Sequence, residues 1–311
     1  MTALLNFREK IKEVYAKYDT YFVSIWKFIL ALTAFLTINA RLGYFGKLNS
    51  IFIVLILALF CSFLPINAVA LLGTALLLGH LYGLSLPALI VGGGILLLLL
   101  LLYFGTTPGE GYVLVLTMLA LAFGIPCVIP LVFGLISSPV ALAAVCFGTF
   151  SYYTLSVING TTETVAAAAG NASAAEESQA LVENVKGLLE GILHEDKLVL
   201  MLICMTAALL VVYLIRRMAI AHSWTAAILA GTLTFFAVDM TGCLIFGRAG
   251  DIPGLLIGTV ISVLIAVSVK FFLFQVDYAR SMSVQFEDAD YYYYVKAVPK
   301  IKKGRDESGE Y

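Results

Sequence analysis

The chain has 311 residues, of which 61% are apolar and 13% charged, with a formal net charge of −1. A soluble domain carries roughly 45–50% apolar and about 25% charged residues, so a water-soluble globule is excluded. With 19 basic against 20 acidic residues, no basic surface points to nucleic acid. The mean hydropathy of +0.98 arises from long apolar runs rather than one-sided stripes, the pattern of an all-α, polytopic membrane helix bundle whose first partner is the lipid bilayer.

In chain order, residues 1–20 place Leu4, Leu5, Phe7, Ile11, Val14, Tyr15 and Tyr18 at near-helical spacing among Arg8, Lys10, Lys12 and Lys17. They predict an amphipathic helix on the cytoplasmic membrane surface. The first apolar segment lacks a small-x-small cleavage site and is expected to stay as an anchor. Nine apolar segments follow, at 21–40, 50–64, 66–83, 86–104, 112–136, 137–158, 198–215, 223–247 and 254–274, forming membrane groups 21–158 and 198–274. Pro65 and Pro87, and Gly92 to Gly94 before the leucine run 96–102, allow a broken or tilted segment. Asn67 after its proline turn reads as a helix cap. Lys27 and Lys270, close to segment ends, read as snorkelling to headgroups.

The stretch 159–197 has seven acidic residues against two lysines. Its Ala-, Gly- and Ser-rich first half reads as a linker. In its second half Leu181, Val185, Leu188 and Ile192 form one apolar helix stripe, which either packs on its own membrane domain or receives a partner helix. Arg216, Arg217 and the basic residues of the tail 275–311 place those regions in the cytoplasm, and the acidic stretch outside. Counted back from there, loop 105–111 is expected outside and the turn near Leu84 inside. The basic amino terminus also belongs inside, which nine crossings forbid. The expectation is eight or nine spans in a plasma membrane, one of them re-entrant within 50–104, with both termini cytoplasmic.

Asp239, inside a 25-residue apolar segment, costs about 2.5–3.5 kcal/mol if ionised at the bilayer centre. It is either a titrating site, with Thr241 nearby and His80 as a possible partner, or structural glue. Pro126 and Pro130 in the fifth segment remove two backbone donors and predict a kink, the kind of break that lines substrate paths or is satisfied by neighbouring helices. In the tail, Phe286 and Tyr291, Tyr292, Tyr293 and Tyr294 predict a strand or small hairpin that docks a cytoplasmic partner or lies among headgroups. The five cysteines form no CxxC pair, there is no GxSxG, HExxH or zinc-ligand spacing, and neither enzyme activity, metal nor cofactor is expected.

The segments CSFLPIN at 61–67, FGIPCVIP at 123–130, VVYLIRRMAI at 211–220, FFLFQVDYAR at 271–280 and VQFEDADYYYYVKAVPK at 284–300 resemble a family of uncharacterised multi-pass membrane proteins of Gram-positive anaerobes. Members often carry the label ABC transporter permease. The resemblance implies a permease-like fold over nearly the whole chain and supplies no binding residue. No GxxxxGK[ST] motif is present, so ATP hydrolysis would fall to a separate ATPase. Two readings stand: a permease-like transport subunit whose path passes Asp239, His80, Pro126, Pro130 and Thr241, or a non-transporting scaffold that recruits cytoplasmic or envelope-assembly partners through its tail and outside helix. A homo-oligomer suits either.

Overall fold

The computed structural model describes residues 2–161, 174–218, 220, 222–247, 252–273, 282–287 and 291–297. The linker 162–173, the Asp288–Asp290 turn and the basic residues beyond Ala297 lie outside the described residues. Helices α1 (Thr2–Lys17), α2 (Asp19–Arg41), α3 (Ile51–Phe63) and α4 (Asn67–Leu84) lead into α5 (Leu86–Thr106). There follow α6 (Gly111–Ala122), α7 (Val128–Ile136), α8 (Ala141–Gly160), α9 (Ala174–Leu193), α10 (Asp196–Arg217), α11 (Ser223–Ile245) and α12 (Ile252–Leu273). Among the described residues seven helical stretches are long and apolar enough to cross a membrane. The protein is an α-helical integral membrane protein.

Local chemistry explains the boundaries. Ser85 Oγ accepts the Ala88 N–H at 3.3 Å, and Pro87 falls in the first turn of α5, where no helical donor is lost. The glycines at 92–94 do not break this helix. Its backbone instead widens into a π-helical turn at Leu89–Gly93. A Cβ on Gly92 would stand 2.5 Å from Ile158 Cδ1, so the bare backbone is what lets α8 approach α5.

Successive long helices run antiparallel. Ser62 Oγ donates to the Ser24 carbonyl and Lys27 Nζ to the Leu64 carbonyl, both at 3.0 Å, which sets the end of α3 beside the first half of α2. Asn67 is no cap: its Oδ1 accepts the Tyr103 hydroxyl at 3.0 Å and its amide donates to Pro108, tying the start of α4 to the end of α5. Asn159 Nδ2 donates to the Arg41 carbonyl at 3.2 Å, joining the ends of α8 and α2. Lys270 Nζ donates to Thr225 Oγ1, joining the end of α12 to the start of α11.

The segment 112–136 departs from the expected single span. Helices α6 and α7 have 12 and 9 residues, about 18 and 14 Å, against a hydrocarbon core of about 30 Å. Ser137 Oγ, just after α7, donates to Glu110 Oε1, just before α6, at 2.9 Å. The segment therefore leaves and returns at one end of the bundle as a re-entrant hairpin. Its apex is Phe123–Cys127, where Gly124 adopts φ +72°. Only Pro126 lies in that apex; Pro130 is the third residue of α7, a position with no helical donor to lose. Hydropathy alone could not show this, because an apolar run of this length satisfies a spanning window whether or not it folds back.

The stretch 50–104 forms three antiparallel helices, α3, α4 and α5, of which α3 has 13 residues. As a result the Ser85 turn shares an end with α9, which packs on Leu86–Ala88, while loop 107–110 shares the opposite end with Arg216. Both positions are the reverse of the expectation. Three hydrophobic clusters fill the bundle: α2 to α6; α4, α5, α8 and α9; and α6 to α8 with α10 to α12. Leu188 and Ile192 are buried in the second of these, with Val185 partly so, and Leu181 is half-buried. That part of the stripe packs on its own membrane domain, while Val182, Leu189 and Leu193 beside it are exposed.

In the tail, β1 (Met282–Glu287) pairs antiparallel with β2 (Tyr292–Ala297). The pairs Met282–Ala297, Val284–Val295 and Phe286–Tyr293 alternate with Ser283–Lys296, Gln285–Tyr294 and Glu287–Tyr292. Apolar and polar pairs thus alternate along the ribbon.

The hairpin predicts a cross-link. With the native cysteines replaced, Glu110→Cys and Ser137→Cys should be joined by a short bifunctional thiol reagent in membranes. A continuous helix would hold these positions about 40 Å apart, so absence of the cross-link with both sites reactive would disprove the re-entrant fold.

Candidate functional site

The hairpin apex floors a cavity of about 250 Å³ closed by α8, α10, α11 and α12. Asp239 reaches it from α11, 8% exposed, six residues before the helix ends at Ile245, about 9 Å along the axis. Lys197, in the first turn of α10, lines the same cavity from an exposed position. These are the only Asp, Glu, Lys or Arg side chains among its described lining residues. Gly124, Pro126 and Cys127 form the floor, Tyr152 and Tyr153 one wall, and Met201, Phe235 and Leu255 its apolar surface.

The floor meets α12 at van der Waals distance. A Cβ on Gly258 would lie 2.3 Å from the Gly124 carbonyl oxygen, so the apex can touch α12 only because that residue is glycine. The close approach gives a freed apex carbonyl a protein neighbour in place of lipid.

The remaining sequence-predicted residues separate. Pro126 joins Asp239 in the cavity, whereas Pro130 is buried in the α7 core. Thr241 is exposed and donates its hydroxyl to the Ala237 carbonyl of its own helix at 2.7 Å, and Thr232 and Thr234 turn back in the same way. His80 is fully buried elsewhere: Nδ1 accepts the Phe45 N–H at 3.3 Å, which leaves the proton on Nε2, facing Asn39 Oδ1 at 2.9 Å. Asn39 Nδ2 donates in turn to Leu48 at 3.0 Å. His80 therefore pins the connection 42–50 and does not line the Asp239 cavity.

Sequence reasoning missed Lys197, Gly258 and two arginines. Arg41, at the end of α2, donates to the Ala122 carbonyl at the end of α6 and, at 3.0 Å, to the Tyr152 hydroxyl. Arg216, at the end of α10, donates to the Leu135 carbonyl and, at 2.8 Å, to the Ser137 carbonyl, both at the end of α7. Each half-length helix of the hairpin thus ends on a guanidinium, which matches the orphan carbonyls and the negative end of the helix dipole. The available signal was a basic residue in the last turn of a long apolar helix, and it reads equally well as a topology mark. Of the docking residues, Tyr291 to Tyr294 are all exposed, and Phe286 is described through its backbone pairing with Tyr293.

Comparison of the chain with protein families, with curated proteins and with solved structures finds no match.

Arg216 and Arg217 separate the cap from mere positive charge, since both lie over the Tyr213 ring, at 5.2 and 4.8 Å, but it is Arg216 that bonds the α7 carbonyls. Arg216→Gln should lower stability in detergent by about 1.5–3 kcal/mol, the scale of a hydrogen bond with a charged donor, and Arg217→Gln by much less. Equal shifts in unfolding temperature would refute the capping role.

Proposed function

We propose that the protein is a permease-like transport subunit of the plasma membrane, with the Asp239 cavity as its solute site and ATP hydrolysis left to a separate protein. The observation that carries this reading is a re-entrant hairpin whose broken apex floors a cavity holding a buried carboxylate. Irregular backbone at membrane depth is tolerated where it is buried in protein or lines a cavity, and buried acids in membranes mark ion or substrate paths. The pair Asp239 and Lys197 within an apolar wall suits a small polar solute that carries a cationic group.

The topology that supports this reading has eight crossings, α2, α3, α4, α5, α8, α10, α11 and α12, with the hairpin entering from the cytoplasm. It puts both termini and Arg216/Arg217 inside and α9 outside, in accord with the positive-inside rule. With the native cysteines replaced, an impermeant thiol reagent on intact cells should label cysteine at 175 or 85 and spare one at 108 or 304. Labelling at 108 with protection at 85 would overturn the orientation.

Cells lacking the protein should lose accumulation of one class of labelled cationic or zwitterionic solutes. Wild type should restore it, and Asp239→Asn should fail to do so at equal membrane level and unfolding temperature, because asparagine keeps the shape but cannot ionise. Full activity of Asp239→Asn would make the acid structural. The scaffold reading is favoured by one feature, the exposed tyrosines of the β-ribbon at 48–80% exposure. It prevails if no solute class changes while truncation before Ser283 strips cytoplasmic partners.

A further inference from the structure

A second cavity, of about 130 Å³, lies on the other side of Tyr152, between α2, α4, α6 and α8. Its depth is apolar: Val69, Ala70, Leu114, Val115 and Leu119 are all buried. The two threonines in its wall are spent on their own helices, Thr37 Oγ1 donating to Thr33 at 2.7 Å and Thr74 Oγ1 to Ala70 at 2.8 Å. A chamber with such a lining holds no water well. An apolar cavity of about 150 Å³ takes a benzene-sized guest, so this one has room for roughly a six-carbon chain.

The mouth has the opposite chemistry. Arg41 stands there with exposed Ser156, and is the only charged residue among the described lining residues. Its guanidinium has five N–H donors and gives two hydrogen bonds, to Ala122 and Tyr152. No carboxylate pairs with it among the described residues. The carbonyl end of α6 and the Tyr152 ring offset its charge only in part, and among the described residues no acid does.

We propose that this cavity binds an amphiphile with an anionic head and a hydrocarbon chain, the head held by Arg41 and the first carbons in the chamber. A carboxylate or phosphate matches the planar guanidinium fork, and the depth beneath it matches alkyl carbon. Two sources share this chemistry, a free fatty acid and an acyl phospholipid of the surrounding leaflet. The site stands apart from the Asp239 cavity and does not depend on the transport reading.

The test is thermal unfolding of the full-length protein. In neutral detergent, sodium octanoate should raise the unfolding temperature in a saturable way, whereas octanol, with the chain alone, and acetate, with the charge alone, should not. In nanodiscs, phosphatidylglycerol should stabilise relative to phosphatidylcholine if phospholipid is the source. A shift with octanoate and none with phosphatidylglycerol assigns the free acid. Arg41→Gln, compared with its own baseline, should weaken octanoate binding at least tenfold. Ala70→Leu fills the chamber without touching the guanidinium and should abolish the octanoate effect. It decides alone if Arg41→Gln fails to fold. Equal shifts from octanol and octanoate, an unchanged octanoate response in Ala70→Leu, or no response to either anionic amphiphile would overturn the proposal.

Discussion

Basic side chains set on the carbonyl ends of neighbouring helices hold this membrane domain in its shape. Lys27 donates to Leu64 beyond α3, Arg41 to Ala122 of α6, and Arg216 to Leu135 and Ser137 at the end of α7. Arg8 of α1 donates to Phe271 of α12 at 3.2 Å. Two of these acceptor helices, α6 and α7, have 12 and 9 residues, too few to carry both ends through a hydrocarbon core. Their last carbonyls would otherwise face lipid, at several kcal/mol for each unsatisfied group. A cation from the last turn of a longer helix removes that penalty while its own charge stays near the membrane boundary.

The capped hairpin then organises everything around it. Helix α6 packs on α2, α4 and α8, and α7 packs on α10, α11 and α12, so the two membrane groups are joined through 26 hairpin residues as well as through α8. Its short helices stop at mid-depth; the apex floors the Asp239 cavity, and the second chamber lies alongside α6. Two chambers result because Tyr152 of α8 stands between them, held by Arg41, whose guanidinium also lies 5.5 Å from the Tyr152 ring. The site geometry follows from helix length before any polar residue is considered.

The helical membrane class was plain in the composition, and the long helices lie close to the apolar segments read from the sequence. The break at 123–127 was also legible, because Gly124 and Pro126 both oppose a helix. Its consequence was not. Whether a broken 25-residue run kinks onward or turns back depends on Glu110 meeting Ser137 and on two arginines 81 residues away from their carbonyl partners in each case, contacts with no local signature. The same limit explains His80, whose partners are 35 and 41 residues distant, and Gly258, an ordinary helical glycine until the apex is placed against it. Asp239 stood out because its cost is local. Its neighbours in the cavity come from four other elements.

The cavity around Asp239 is closed toward the end of the bundle that carries Arg216. Leu131, Leu135, Met205, Ala208, Leu209 and Val212 fill that end with no exposed surface. Gly134 and Gly231 both sit so close to Val212 that a Cβ on either would lie within 2.7 Å of its side chain. A core this dense does not deform gradually, since interdigitated side chains have discrete packings. On the transport reading, a path to that end would require α7 to move as a unit against α10, which would break the two hydrogen bonds of Arg216. Those bonds lie at the base of the hairpin while Arg41 holds its apex, so motion at one end can proceed with the other still fixed.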